Sequence, residues 1–227
     1  MNHAIIVAAG SSTRFAGRQA KQFSPLAGKP LIIHTLEKFE SCSSVDNIVL
    51  VLPADSIEEF ERLRRGYELA KLSAVTSGGS SRAESVRNGL AVLEAENVDI
   101  VAVHDGARPL VTCDEITHTI IMAEHTGAAC LVARVTDTIK ETADSQITGT
   151  VDRVRLRRAL TPQAFRYDLL IRAFDGVELG DRITDECNLV ERLGVPVAAV
   201  EGSGWNIKIT HSEDLRVAEA LLERDRI

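Results

Sequence analysis

Cysteine is scarce in this 227-residue sequence, and its four cysteines lie far apart. Cys42, Cys113, Cys130 and Cys187 form no C-x-x-C pair, so a zinc site or a disulfide framework is not expected. We predict reduced, mostly structural thiols of the kind found in cytosolic proteins.

The sequence also has no excess of positive charge. It contains 26 lysines and arginines and 33 acidic residues, which gives a net charge of −7. Nucleic acids and anionic membrane surfaces are bound through a basic field. We therefore expect neither as a partner. A small phosphate-bearing ligand is still compatible with this charge, since it needs only a few local cations.

Long apolar runs are absent as well. The N-terminal segment MNHAIIVAAG has no basic region, and its apolar run is too short for a signal peptide or a membrane span. A cytoplasmic location is the expectation. The composition, 44% hydrophobic and 26% charged, is typical of a globular protein with a sizeable core. We predict a single domain over residues 1–227.

Continuous apolar segments alternate with segments of helical periodicity along most of the chain. Strands are predicted over residues 4–9, 47–52, 72–76, 98–104, 127–133, 196–200 and 206–209. Helices are predicted to start at or near Pro30, Ser56, Asp114, Tyr167, Thr184 and Ser212, and a further helix, with Val86, Leu90 and Leu93 on one face, follows the serine cluster of residues 77–86. Since apolar strands separated by helices build mostly parallel sheets, the predicted fold class is α/β, with a doubly wound central sheet flanked by helices.

The first strand runs into a loop of small residues, Gly10 to Thr13, followed by Arg14 and Lys21. Backbone N–H groups and two cations in such a loop can hold a phosphate. The loop is neither a P-loop, since no G-K-[ST] closes it, nor a dinucleotide fingerprint, since Ser12 stands at the second glycine position. From the residues alone, a solvated turn with two surface cations is an equally good interpretation.

Two later segments also follow strands. Residues 77–86 place two glycines and a serine cluster at a helix start, which can bind a base edge or a phosphate. A capped helix after a flexible turn is the simpler interpretation. Asp105 lies at the carboxyl end of its strand, where ligand sites of open α/β sheets lie, and is a candidate metal ligand. A helix cap or an ion pair with Arg108 is the alternative.

Residues 134–154 depart from the β/α alternation. Two β-branched, alternating segments flank a polar turn, which predicts a β-hairpin with no helix between its strands. Such a hairpin is marginally stable alone. We expect it to project from the sheet as an arm that packs on a second copy of the chain.

Motifs distributed along the whole chain carry a family resemblance. The string Ala8–Phe15 with Ala20–Gln22 is similar to the A-A-G-x-G-x-R-(M/F)-x(n)-P-K-Q signature of sugar-phosphate nucleotidyltransferases. GGSSRAESV, HDGARP, VTDTIK, TVDR, LTPQAF, ITDE and NIKIT follow in order. Over residues 3–222 the chain resembles the 2-C-methyl-D-erythritol 4-phosphate cytidylyltransferase family of the non-mevalonate isoprenoid pathway. The resemblance implies a Rossmann-like nucleotidyltransferase fold, CTP and a sugar phosphate as substrates, Mg²⁺ as cofactor, and a homodimer in which the arm reaches over the neighbouring site.

The resemblance also implies roles for individual residues. Arg14 and Lys21 match the transition-state stabilisers, and Asp105 matches an acid near the metal. Residues implied to position the sugar phosphate are Arg153, Lys208, Thr138 and Thr161. Residues implied to bind the nucleotide are Ala8, Ala9, Gly10, Ser11, Ser12, Gly79, Ser80, Arg82 and Ser85. The sequence departs from the family pattern at Ser12, where glycine is usual, at Ala20, where proline is usual, and at Ser80, where an acid is frequent.

Three alternatives differ in substrate or in class. A ribitol-5-phosphate cytidylyltransferase shares the first loop and the NIK segment, although TVDR, LTPQAF and TDE favour the methylerythritol family. A nicotinamide-dependent oxidoreductase would need the glycine fingerprint and an acid after the second strand, where Pro53 stands. A non-catalytic nucleotide-binding module would not need Arg14, Lys21, Arg153 and Lys208 together.

Overall fold

A computed structural model describes residues 1–10, 20–177 and 183–224, with only the backbone of Arg224. The strands are β1 (Asn2–Val7), β2 (Pro25–Leu26), β3 (Lys29–Pro30), β4 (Asn47–Leu52), β5 (Leu72–Ser77), β6 (Ile100–Asp105), β7 (Ala128–Arg134), β8 (Ile139–Ala143), β9 (Gln146–Val151), β10 (Arg157–Arg166) and β11 (Ala198–Glu201). The helices are α1 (Leu31–Glu40), α2 (Ile57–Leu63), α3 (Arg82–Leu90), α4 (Cys113–Thr126), α5 (Tyr167–Phe174), α6 (Glu186–Arg192) and α7 (Glu213–Arg224).

Seven strands form one sheet in the order β11-β7-β10-β6-β1-β4-β5. Successive side chains of a strand point to opposite faces, so the apolar β1 serves two cores. Ala4 and Ile6 pack in the first core with Phe39 of α1, whereas Ile5 and Val7 pack in the second core. A mostly parallel sheet buried on both faces confirms the predicted α/β class.

One strand of the sheet was not predicted. β10 lies antiparallel between β6 and β7, although its sequence contains Pro162, and a proline argues against a central strand because it cannot donate to the ladder. The pairing with β7 shifts register between Ala159 and Gln163. Pro162 falls in this interruption, where a ladder hydrogen bond is not required.

The longest helix, α4, has strong end signals in its sequence. Thr112 and Glu115 form a reciprocal capping box at its start. Gly127 ends it with a φ of 92°, a conformation that costs glycine little. These signals explain why the predicted helix start and end lie within one or two residues of the observed ones.

The predicted hairpin at 139–151 is present, and β8 and β9 form a two-stranded sheet of their own. The predicted strand at 206–209 is wrong, since this segment contains no strand. It is instead fixed by single hydrogen bonds, including Ile209 N to Ala107 O at 2.8 Å. Among the helices of the described residues, none has the length and apolar character needed to cross a membrane.

Candidate active site

A cleft lies at the carboxyl ends of β1, β5 and β6. β1 is flanked by β4 on one side and β6 on the other, all parallel, and such a switch point is where open α/β sheets bind ligands. The cleft has a volume of about 520 Å³. Its lining includes ten predicted site residues, namely Ala8, Ala9, Gly10, Lys21, Gly79, Ser80, Arg82, Ser85, Asp105 and Lys208.

Two glycines allow the loops around the cleft to approach each other closely. A Cβ on Gly78 would lie 2.2 Å from Cβ of Ala9, and a Cβ on Gly106 would lie 2.8 Å from Cβ of Ala8. Both distances are far below van der Waals contact. The backbones after β5 and β6 therefore pack directly on the methyl groups of Ala9 and Ala8 in the segment after β1.

The loop before α3 is held by side-chain hydrogen bonds. Ser81 accepts the N–H of Glu84 at 3.1 Å as the helix cap, and Glu84 accepts the N–H and hydroxyl of Ser80 at 2.7 and 2.5 Å. The N–H of Gly79 donates to the hydroxyl of Ser85 at 3.2 Å. This segment is thus a hydrogen-bonded turn followed by a capped helix, as the simpler interpretation expects for the helix, and nucleotide binding stays a prediction.

Asp105 is buried at the end of β6 and faces three cations. Arg82 Nε lies 3.1 Å from Oδ1, while Lys208 Nζ and Arg108 Nε lie 2.9 and 3.4 Å from Oδ2. Burial opposes the charge of this carboxyl, but Arg82, Lys208 and Arg108 outweigh burial and hold the pKa of Asp105 well below its usual range. Asp105 is therefore an ionised carboxylate at neutral pH.

Arg82 connects Asp105 with a second buried carboxylate. Nη1 of Arg82 lies 2.6 and 2.7 Å from the two carboxylate oxygens of Glu186, the first residue of α6. Burial works against the charge of Arg82, but Glu186 and Asp105 raise its pKa above the usual value. Burial raises the pKa of Glu186, and Arg82 opposes that shift.

Thr161 lies beneath the cleft and is not part of its lining. Its hydroxyl accepts the N–H of Asp105 at 3.1 Å and lies 3.0 Å from Nδ1 of His104. Nε2 of His104 lies 3.1 Å from the carbonyl oxygen of Arg108 and must donate to it, so Nδ1 accepts from Thr161. Burial lowers the pKa of His104 to about 3, and the ring is neutral at physiological pH.

The two lysines of the cleft come from segments far apart in sequence. Nζ of Lys21 donates to the carbonyl oxygen of Ile209 at 3.1 Å, and this contact joins the end of the first loop to the segment that carries Lys208. Arg14, Ser11 and Ser12, which complete the predicted phosphate loop, lie outside the described residues.

The two predicted residues of the arm are away from the cleft of their own chain. Thr138 and Arg153 are exposed and do not line it. The guanidinium of Arg153 donates to the carbonyl oxygen of Thr136. Any role of these two side chains at a cleft requires a movement of the arm or a second chain.

Potential metal ligands among the carboxylates of the described cleft lining are limited to Asp105. The described residues hold no cluster of three or more His, Cys, Asp or Glu side chains suited to a metal, and Asp105 is the one carboxylate in the described lining. One carboxylate together with substrate phosphates is a usual environment for Mg²⁺.

Sequence reasoning gave no role to two residues that the structure places beside this site. Neither His104 nor Glu186 is among the predicted site residues, and Glu186 lies in a segment for which only a helix start near Thr184 is predicted. Neither had a sequence signal beyond its position next to Asp105 or Asp185, because their partners are distant in sequence.

Comparisons with known proteins agree with this geometry. The family model described as 2-C-methyl-D-erythritol 4-phosphate cytidylyltransferase matches residues 2–224. A protein of that name from Geobacillus kaustophilus is 42% identical, over 98% of this chain and 97% of its own. A bifunctional enzyme IspD/IspF from Desulfotalea psychrophila is 45% identical over 98% of this chain, which spans only 57% of that longer protein.

A solved structure gives the same result for the fold. The 4-diphosphocytidyl-2C-methyl-D-erythritol synthase from Anaerococcus prevotii superposes with a TM-score of 0.84 at 27% identity. The superposition covers 98% of this chain and 96% of the other.

Proposed function

This chain belongs to the 2-C-methyl-D-erythritol 4-phosphate cytidylyltransferase family, and from that membership we propose that its cleft joins CTP to 2-C-methyl-D-erythritol 4-phosphate. The products are 4-diphosphocytidyl-2-C-methyl-D-erythritol and diphosphate, in the methylerythritol phosphate route to isoprenoid precursors. The observation that carries the proposal is one cleft at the switch point of the sheet, lined by Lys21, Arg82 and Lys208, in which Asp105 is the single carboxylate of the described lining.

The residue types suit an attack of a phosphate oxygen on the α-phosphorus of CTP. The nucleophile is already anionic at neutral pH, so no general base is needed, and the neutral His104 lies beneath the cleft rather than in its lining. Two effects oppose the reaction: the two polyanionic substrates repel each other, and negative charge develops as diphosphate leaves. Lys21 and Arg14 offset that charge, while Lys208 and Arg153 orient the attacking phosphate.

Residues 8–10 after β1 and the turn after β5 suit nucleotide binding. Backbone groups of Ala8 to Gly10 and the capped turn at Gly79 to Ser85 enclose one side of the cleft. The close packing of Gly78 against Ala9 limits the space between these loops. We infer a pocket that accepts a pyrimidine and excludes the larger purines.

Mg²⁺ is proposed to enter together with the triphosphate. Asp105 would hold it as the single carboxylate, with phosphate oxygens and water as the other ligands. The bound ion would neutralise charge between the β- and α-phosphates. For Asp105 to bind it, Lys208 would have to leave Oδ2, which frees the lysine ammonium for the sugar phosphate.

The arm is proposed to complete the site of a second chain in a homodimer. Ile147 and Val154 expose 67% and 74% of their surface in the arm, which suits an apolar contact with a partner. Arg153 lies in the same exposed segment. We propose a cytoplasmic homodimer that acts on small molecules, not on nucleic acid.

Diphosphate release tests the proposal. The purified protein is incubated with CTP, Mg²⁺ and either methylerythritol phosphate or ribitol 5-phosphate, and diphosphate is measured with a coupled assay. Turnover with methylerythritol phosphate is expected, with little from ATP or GTP. Faster turnover with ribitol 5-phosphate would assign the other substrate, and binding of CTP without any turnover would indicate a non-catalytic module.

A further inference from the structure

Glu186 is a fully buried carboxylate that the proposed chemistry does not use. Its only ion-pair partner in the described part of the chain is Arg82, whose Nη1 bonds both of its oxygens. Isolated buried charge is expensive, and burial raises the pKa of Glu186 accordingly. We therefore look for the role of Glu186 in its effect on Arg82.

The contact with Glu186 fixes how Arg82 presents its other donors. Nη1 is held by Glu186 and Nε by Asp105 at 3.1 Å. Nη2 has no hydrogen-bond partner among residues 1–10, 20–177 and 183–224, and Arg82 lines the cleft. The planar guanidinium is thus anchored at two corners, with its third corner available to a ligand.

Glu186 also balances the charge around Asp105. Arg82, Arg108 and Lys208 all approach Asp105. With Glu186 in place, Arg82 divides its interaction between two carboxylates. Without the charge of Glu186, the guanidinium would be drawn onto Asp105 alone, in competition with Lys208.

We propose that Glu186 is a positioning residue for the transfer reaction, acting through Arg82. Its carboxylate holds the guanidinium in place, so that Arg82 presents Nη2 to the phosphates of the nucleotide. Because Arg82 is shared with Glu186, Asp105 can also release Lys208 when a ligand of the cleft binds. This inference rests on the proposed function of the cleft and adds a residue from α6 to it.

A buried ion pair could instead serve only to dock α6, and such pairs are weak evidence of stabilisation. A double-mutant cycle separates the two roles. Glu186→Gln, Arg82→Gln and the double variant are compared with the wild type by kcat and KM for CTP, by CTP binding in equilibrium dialysis, and by thermal unfolding. Glu115→Gln, which removes another buried carboxylate located outside the described lining, is the matched control.

The positioning role predicts a 10- to 100-fold loss of kcat/KM for CTP in Glu186→Gln, as for outer-shell partners in other sites. In the Arg82→Gln background the same substitution should change kcat/KM less than about twofold, because its target is absent. Glu115→Gln should lower the melting temperature and leave kcat/KM unchanged. An equal loss with and without Arg82, or wild-type kinetics in Glu186→Gln, would overturn the proposal.

Glu186→Asp is used in the same cycle if Glu186→Gln yields no folded protein. This variant keeps the charge and withdraws the carboxylate by one methylene. We therefore expect kcat/KM for CTP to fall about tenfold when Arg82 is present and to stay unchanged in the Arg82→Gln background. An equal change of kcat/KM in both backgrounds would refute the positioning role. If the wild type itself releases no diphosphate, the proposed function fails, and the cycle is then scored on CTP binding alone.

Discussion

Nζ of Lys208 lies 2.9 Å from Oδ2 of Asp105, so the acid of the cleft is paired with a lysine before any ligand binds. Asp105 is buried, whereas the lysine side chain is 43% exposed. The contact joins a rigid strand end to an irregular segment. An incoming phosphate can therefore replace Asp105 as the partner of Lys208, and a metal ion can replace Lys208 as the partner of Asp105, without a movement of the sheet.

Removal of the lysine ammonium should weaken the orientation of the attacking phosphate. We expect Lys208→Ala to lower kcat/KM for the sugar phosphate by about 10²–10³, by analogy with the loss of a single oxyanion-hole donor. Initial rates of diphosphate release against sugar-phosphate concentration measure this. Lys38→Ala on α1, outside the described lining, is the control, and a Lys208 variant as active as that control would refute the role.

Lys21 should act mainly on the transition state rather than on bound CTP. Lys21→Ala is expected to lower kcat much more than it raises KM for CTP, because an interaction that strengthens as charge develops appears in kcat. Steady-state kinetics with CTP varied give both constants. A kcat close to that of the wild type would exclude Lys21 as a stabiliser.

The arm prediction can be tested by mixing two inactive variants. If Arg153 completes the partner's site, a heterodimer of Arg153→Ala and Lys21→Ala chains has one site with both lesions and one with neither. Random exchange of equal amounts should then restore about a quarter of the wild-type activity. Light scattering is used to check that dimers form.

The neighbouring Arg155, exposed in the same turn as Arg153, provides the control for that mixture. Arg155→Ala should be active by itself. If the mixture of Arg153→Ala and Lys21→Ala stays inactive although heterodimers form, each chain completes its own site and the arm acts as a flap.

Gly78 should be intolerant of even one added methyl group. Its Cβ would lie 2.2 Å from Cβ of Ala9 and 2.8 Å from Oγ of Ser85, so Gly78→Ala must push two loops of the cleft apart. We expect a loss of about 1–3 kcal/mol in unfolding free energy and weaker CTP binding. Gly66→Ala, with no atom within 4 Å of its added Cβ, should leave both unchanged. Equal behaviour of the two variants would contradict this packing.

Buried His104 should make the protein less stable in acid. Its pKa falls to about 3 in the folded chain against 6.5 unfolded, so the unfolded state binds a proton first as the pH falls below 6.5. This contribution to stability is complete well above pH 6.5 and is lost towards pH 3, with a loss of about 1.6 kcal/mol between pH 6.5 and 5. Urea unfolding at both pH values should show this extra loss in the wild type and not in His104→Gln, and parallel pH profiles would disprove it.

Local patterns in the sequence were sufficient to predict most of the fold. Apolar runs identified β1, β4 and β6, and a helix was predicted to start near Asp114, where α4 begins, because burial and helix ends depend on neighbours along the chain. The pattern failed for β10. Its place between β6 and β7 depends on a register shift around Pro162, which only the assembled sheet determines.

The same distinction between local patterns and long-range contacts holds for the candidate site. Residue types and spacing selected Lys21 and Asp105, since strand ends and cations can be recognised in order along the chain, and the family resemblance added Lys208. Neither the pairing of Arg82 with Glu186 nor the support of Asp105 by Thr161 could be read from the sequence. Each joins residues distant in the chain, and such contacts exist only once the packing of α6 and β10 has fixed their distances.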